Sequence, residues 1–314
     1  MPETAAMPAL PLTSSPLRTG LLLGTLGVIL FSLTLPVTRL SILLSGLSPL
    51  AVTLIRLDVA SVLAALFLLL ARARLPARAL LPDLMAVAGG AVIGFPLFMA
   101  YAVTLIPPEQ SPASHAIVVN GLLPFATAVA ATLLCGDRPS PGFWLVALAG
   151  SGCVVGYALT LGGGAFSVGD VAMAAAVLSA ATGYACGSRL SRHLPSWQVI
   201  CWAVLLCAPL ALPLTIALPW IDGPIPAAAW SLPSLASLLY LGAISQLIGF
   251  FAWYRGLSLG GTARVSQVQL LQPFLSLLGA AVLLNEVLTP LTLIMTVVVA
   301  TLVMIGKRMP VKVG

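Results

Sequence analysis

The sequence predicts an all-α polytopic membrane protein, with ten transmembrane helices arranged as two inverted five-helix repeats. Three observations carry that expectation: the composition, a segment that recurs, and the placement of the basic residues. Hydrophobic residues make up 60% of the 314-residue chain and charged residues 7%. Soluble domains carry roughly 25% charged residues, so a water-facing surface cannot be coated here and the bilayer is the natural solvent. The net charge of +6 does not signal a nucleic-acid partner, because the basic residues sit at the ends of apolar runs and not together on one polar face. The five cysteines (Cys135, Cys153, Cys186, Cys201, Cys207) lack CxxC spacing. Neither a disulfide framework nor a metal site is expected of them, and no cofactor is implied.

The recurrence centres on two Pro-Phe segments. Asn120 precedes Leu122-Leu123-Pro124-Phe125, followed by Asp137 and Pro141. Gln269 precedes Leu271-Gln272-Pro273-Phe274, followed by Glu286 and Pro290. The differences 273 − 124, 286 − 137 and 290 − 141 all equal 149. An odd number of spans per copy turns the second copy upside down in the membrane. Secondary transporters use such inverted repeats to build a midplane substrate site reachable from either side.

A helix needs about 20 largely apolar residues to cross the hydrocarbon core. Dividing the chain at Pro, Gly and charged clusters predicts spans at 19–39, 49–71, 81–105, 112–134, 142–161, 168–188, 197–218, 233–255, 262–284 and 289–306. Residues 1–18 form a flexible tail, 19–161 the first repeat, 168–306 the second, and 307–314 a cytoplasmic basic tail. No small-residue cleavage site follows the first span, which is expected to stay as an anchor. The run Gly162-Gly163-Gly164 lacks the lysine and the strand-turn-helix setting of a phosphate loop, and reads as a flexible join.

Orientation follows from the basic residues in short loops. With the N-terminus inside, the inner face receives Arg18, Arg72, Arg74, Arg78, Arg138, Arg189, Arg192, Arg255, Arg264, Lys307, Arg308 and Lys312. The outer face receives Arg39, and Arg56 lies within a span. Both termini are therefore expected in the cytoplasm, with the chain in the cytoplasmic membrane.

Two five-helix units, each closing with a Pro-Phe helix, an acidic turn and a last helix, resemble the EamA family of the drug/metabolite transporter superfamily. The likeness rests on Leu122-Leu123-Pro124-Phe125 with Asp137 and Pro141, and on Leu271-Gln272-Pro273-Phe274 with Asn285-Glu286 and Pro290. Thr38-Arg39-Leu40-Ser41 against Ser188-Arg189-Leu190-Ser191, at an offset of 150, adds a weaker match. Arg56 fits the arginine often found in the second helix of this family, and Tyr101 and Tyr254 fit its aromatic-rich third helices. The 153-residue spacing of those tyrosines implies four extra residues around Ile106–Ala113. Asp137 stands where the family usually has glutamate. The resemblance implies a carrier of a small organic solute, an amino acid or related metabolite, and frequently its efflux.

Candidate site residues follow from polar chemistry placed in apolar spans. Asn120 and Gln269 are equivalent positions near mid-span in the fourth and ninth helices. A buried amide is costly unless paired, so the two either bind substrate together or join helices. Ser266, Gln269 and Gln272 recur every three residues and line one stripe, which Gln246 joins from the eighth helix. That stripe either lines a solvated path or acts as polar glue. Pro124 and Pro273 lie inside spans, where a missing N–H kinks or softens a helix. Tyr101, Tyr184, Trp253 and Tyr254 either wall a substrate pocket or anchor at the membrane interface. Arg56 and Asp58 are the charges well inside a span, each costing on the order of 3 kcal/mol there. Two positions apart, they do not face each other. Arg56 is either structural or a carboxylate receptor, and Asp58 is the candidate proton-coupling group. His115, at the outer start of the fourth helix, titrates near neutral pH.

An intramembrane enzyme would need a nucleophile with its base, paired carboxylates or metal ligands within spans, and the sequence offers none. A channel would show rings of charge or a carbonyl filter. The expected partners are a small-molecule substrate and the lipid bilayer; the oligomeric state stays open.

Overall fold

A computed structural model describes residues 16–106, 112–161 and 167–285, with isolated positions beyond residue 285. The first fifteen residues, the glycine run 162–164, residues 107–111, Glu286 and most of the expected tenth span lie outside the described residues. Up to Asn285, and besides a short 3-10 turn at Ala227–Trp230, the described chain forms ten helical segments: α1 (Pro16–Ser45), α2 (Pro49–Leu70), α3 (Arg78–Leu105), α4 (Pro112–Asn120), α5 (Leu123–Cys135), α6 (Pro141–Leu161), α7 (Val168–Leu190), α8 (Ser196–Ile221), α9 (Leu232–Gly260) and α10 (Thr262–Leu284). Seven of them, α1 to α3 and α7 to α10, are long and apolar enough to cross a membrane.

Two expected spans differ in detail. The fourth, expected to be continuous over 112–134, is split at Gly121-Leu122 into α4 and α5. Pro124 causes the split, because it has no N–H for the carbonyl of Asn120 one turn earlier. The first was expected to end at residue 39 but runs to Ser45, where Gly46 closes it at φ 68°. Arg39 therefore lies within the helix, and its Nη1 donates to the Val103 carbonyl at 3.0 Å.

Local departures from ideal helix recur between the halves. A π-helical stretch occupies Ala88–Gly94 in α3 and Tyr240–Ile248 in α9. At the 153-residue offset of Tyr101 and Tyr254, positions 88 and 94 fall on 241 and 247. The split after Asn120 is matched by a tight 3-10 stretch, Ser266–Leu271, ahead of Pro273. α5 and α10 end alike, with Gly136 (φ 75°) and Asn285 (φ 55°) donating to Ala131 and Ala280. Both pairs differ by 149 residues, and glycine and asparagine are the residues that enter this left-handed cap most readily.

Carbonyls beside two other prolines are served by side chains of the opposite half. Pro36 leaves the Ser32 carbonyl without its helical donor, and Ser276 Oγ donates to it at 2.5 Å. Near Pro96, at the end of the π-helical stretch of α3, the Val92 carbonyl accepts from Gln246 Nε2 at 3.2 Å. Bends in the first half are thus hydrogen-bonded by side chains of the second.

The halves interlock by exchanged pairs: α1 packs most closely on α9, α3 on α7, and α2 on α8. Glycines make the first two contacts possible. A Cβ on Gly256 would sit 2.7 Å from Gly24 N and 2.8 Å from Gly20 O. On the other pair, a Cβ on Gly183 would sit 2.6 Å from Ala91 N. Small residues of this kind let membrane helices approach backbone to backbone, where packing drives association.

The helix ends sort into two groups. One collects Asp83, Arg138, Arg189, Arg264, Met309 and Lys312; there Arg138–Pro139 pairs antiparallel with Val311–Lys312, and Arg264 Nη2 donates to Met309 O at 3.3 Å. Arg189 Nε donates to Asp83 Oδ2 at 2.8 Å, with a second contact from Nη2 to Oδ1, while its Nη1 donates to Leu134 O at 2.7 Å. Asp137 accepts from the Ala263 N–H at 3.0 Å. The other end collects Ser48, which donates to Asp222, and His115, whose Nε2 lies 2.6 Å from Asp170 Oδ1.

Candidate functional site

Arg56 organises a polar cavity inside the bundle. Its helix is fixed at the start by Ser48, whose Oγ accepts from Ala51 N at 3.0 Å, with Pro49 in the first turn, where a missing N–H costs nothing. Two turns later Arg56 points inward and is 3% exposed. Nη2 donates to Ser245 Oγ at 3.2 Å, and that hydroxyl pairs with Thr34 Oγ1 at 2.7 Å. Arg56 Nε and Nη1 are buried and make no hydrogen bond.

The cavity is small, about 10 Å³, room for about one water molecule and far below the roughly 300–1,000 Å³ of open ligand pockets. Five lining residues come from the first half (Phe31, Thr34, Arg56, Ala91, Phe95) and five from the second (Tyr184, Ser245, Gln246, Phe250, Gln272). Thr34 and Tyr184 are 150 residues apart, the offset of the two Arg-Leu-Ser segments, so matched positions of the two halves face one space. Gln272 Nε2 donates to the Phe31 carbonyl at 3.5 Å, while its Oε1 is buried without a partner. The apolar wall is a chain of rings: Phe31 to Phe250 at 4.9 Å, Tyr184 to Phe250 at 5.9 Å, and Tyr184 to Trp253 at 5.5 Å.

Of the expected site residues, the structure brings Arg56, Tyr184, Gln246 and Gln272 to the cavity, with Trp253 in ring contact behind Tyr184. Gln269 lies beside the Tyr184 hydroxyl without closing a hydrogen bond of normal geometry, and both its amide atoms are buried and unpaired. Asn120 is buried with its Oδ1 unpaired, and it makes no direct hydrogen bond with Gln269. Ser266 turns back on its own helix, donating to Ala263 O at 3.0 Å. Tyr254 donates to Gly183 O at 3.3 Å and packs on Phe250.

Interface anchoring does not describe Tyr184, Trp253 and Tyr254, which are buried; the glycine face of α1 admits α9 so closely that Gly27 lies against Trp253. Tyr101, by contrast, is 38% exposed on the outer surface of α3. Asp58 is half-buried, away from the cavity and beside the Thr215 hydroxyl of α8. His115 is buried against Asp170, whose second oxygen accepts from Ser167 N at 2.6 Å in a capping box. Sequence reasoning passed over Thr34, Ser245 and the phenylalanines. The signals were the 150-residue match of Thr34 with Tyr184 and the adjacency of Ser245 to Gln246.

The EamA-like transporter family matches the chain twice, over residues 18–161 and 167–305. A Bacillus subtilis (strain 168) protein named "Uncharacterized transporter YdeK" is 47% identical over 263 residues, covering 84% of this chain and 88% of that protein. The chain belongs to the EamA-like transporter family. It is therefore a multi-pass membrane protein of a transporter family, which accords with its seven membrane-length helices. A crystal structure at 21% identity shares the fold, with a TM-score of 0.69 over 92% of this chain and 94% of that one. In this EamA-like chain the cavity sits where its two family units meet.

Proposed function

We propose that the protein is a secondary carrier that moves a small organic solute, an amino acid or related metabolite, out of the cell across the cytoplasmic membrane by alternating access. The observation that carries this reading is the cavity lined equally from both halves. A carrier requires a site whose two walls belong to bodies able to move against each other, and inverted repeats supply such bodies. In this reading the chain forms ten spans, with both termini in the cytoplasm and the basic helix ends facing inward.

The contacts at the two ends are then gates. Asp83 to Arg189, Arg189 to Leu134 and Ala263 to Asp137 each join the halves at the inner end. His115 to Asp170 and Ser48 to Asp222 join them at the outer end. With both sets closed the cavity is occluded; separating either set opens it to one side only. Arg56, Tyr184, Gln246, Gln269 and Gln272 hold the solute, Asn120 contributes an amide from the fourth span, and Pro124 and Pro273 place bends at matched depths. Such motion needs no ATP, and the solute gradient or a coupled ion supplies the energy.

Reconstitution in liposomes tests this directly. Preloaded vesicles should accumulate a labelled solute by counterflow, saturably and without ATP. A linear, unsaturable flux would indicate a channel, and no flux of any solute through folded protein would remove the carrier reading.

A further inference from the structure

We infer that the cargo is a carboxylate anion, held through its charge by Arg56; this rests on the carrier reading above. The guanidinium is 3% exposed, yet of its nitrogens Nε and Nη1 make no hydrogen bond. A cation taken out of water is expensive unless it is paired and hydrogen-bonded, and here the protein supplies one hydroxyl, Ser245 Oγ.

No carboxylate among the described residues can serve as its partner. Asp83 is held by Arg189, Asp137 by the Ala263 N–H, Asp170 by His115, and Asp222 by Ser48, all at helix ends. Asp58 lies on the same helix but faces Thr215. The cavity thus carries an uncompensated positive charge with free donors, and its remaining polar atoms are neutral.

That arrangement is complementary to one class of ligand. A carboxylate can accept from a guanidinium edge in a bidentate pair, which is short, planar and charge-assisted. Ser245 takes one of the two Nη2 hydrogens, so the other can still pair with Nε or with Nη1, completing one edge of the fork for a carboxylate. Across the space, the unpaired Oε1 of Gln272 accepts a hydrogen bond from a donor elsewhere on the solute. The rings of Phe31, Phe95, Tyr184 and Phe250 line the same small gap, which must widen as a gate parts before it takes the body of the solute. A solute without a carboxylate would leave the charge unmatched, and one carrying only a cation would be repelled by it.

Matched pairs of solutes provide the test. Liposomes containing the full chain are given labelled aliphatic, aromatic and amino-acid carboxylates, each alongside its carboxamide, which has nearly the same shape without the anionic charge. Wild-type protein should take up at least one acid saturably, at least tenfold faster than its amide. Arg56→Gln, checked for folding by size-exclusion chromatography, should lower that uptake at least tenfold and erase the preference. Arg56→Lys should keep a weakened preference, since charge remains and the fork is lost. Amides carried as well as acids by wild-type protein would overturn the proposal, even if Arg56→Gln fails to fold. So would acid uptake by folded Arg56→Gln at the wild-type rate. Saturable uptake confined to solutes without a carboxylate would sink the carboxylate assignment and leave the carrier standing. Absence of saturable uptake for every class would sink both.

Discussion

Gln269, singled out by its place in a polar stripe, is buried with nothing to satisfy it. Both its amide atoms are buried and unpaired beside Tyr184, which lines the cavity. Leaving a buried amide unsatisfied costs about 1–3 kcal/mol, and a solute supplying the missing bond recovers part of that. Gln269→Ala and Asn120→Ala should each reduce transport by roughly tenfold, the equivalent of about one hydrogen bond. Uptake assays on variants matched for membrane insertion would check this, and normal rates in both would remove the amide pair from the site. The amides were legible in the sequence because polar side chains stand out in apolar spans. The company Arg56 keeps was not. Its neighbours Thr34, Ser245 and Gln272 come from three other helices, and no linear spacing brings them together.

At the scale of helices, the chain relies on close approach where glycines remove the side-chain barrier. Gly256→Val on α9 should be severely destabilising, because its Cβ would meet the α1 backbone at 2.7 Å and backbone cannot yield as a flexible side chain can. Overpacking typically costs about 1–3 kcal/mol, and thermal unfolding in detergent would register it. Gly152→Ala in α6 should hold or slightly raise stability, since nothing lies within 4 Å of the added methyl and alanine is the better helix former. Equal effects from the two substitutions would contradict the packing described for α1 and α9. The burial of Trp253 was hidden for a related reason. In a helix apolar all round, hydrophobicity does not say which face meets protein and which meets lipid, so an aromatic near a span end reads as an interface anchor. The breaks ahead of Pro124 and Pro273 were foreseeable from proline chemistry. The π stretches of α3 and α9 had no such marker.

For the whole molecule, the decisive property is the relation between the halves. The 149-residue recurrence revealed a duplication because proline, phenylalanine and helix-end polar residues survive as landmarks in otherwise interchangeable apolar sequence. Structure adds matched π stretches, matched left-handed caps and a cavity drawn equally from both halves. The central claim is that these halves thread the membrane in opposite directions. Arg78 and Ser231 are both exposed, and their separation is 153 residues, the offset of the third helices. In a background with the five native cysteines replaced, Arg78→Cys and Ser231→Cys would be labelled in intact cells with a membrane-impermeant maleimide. The account predicts labelling at position 231 from outside and protection at position 78 until the membrane is opened. Labelling of both from the same side would contradict it.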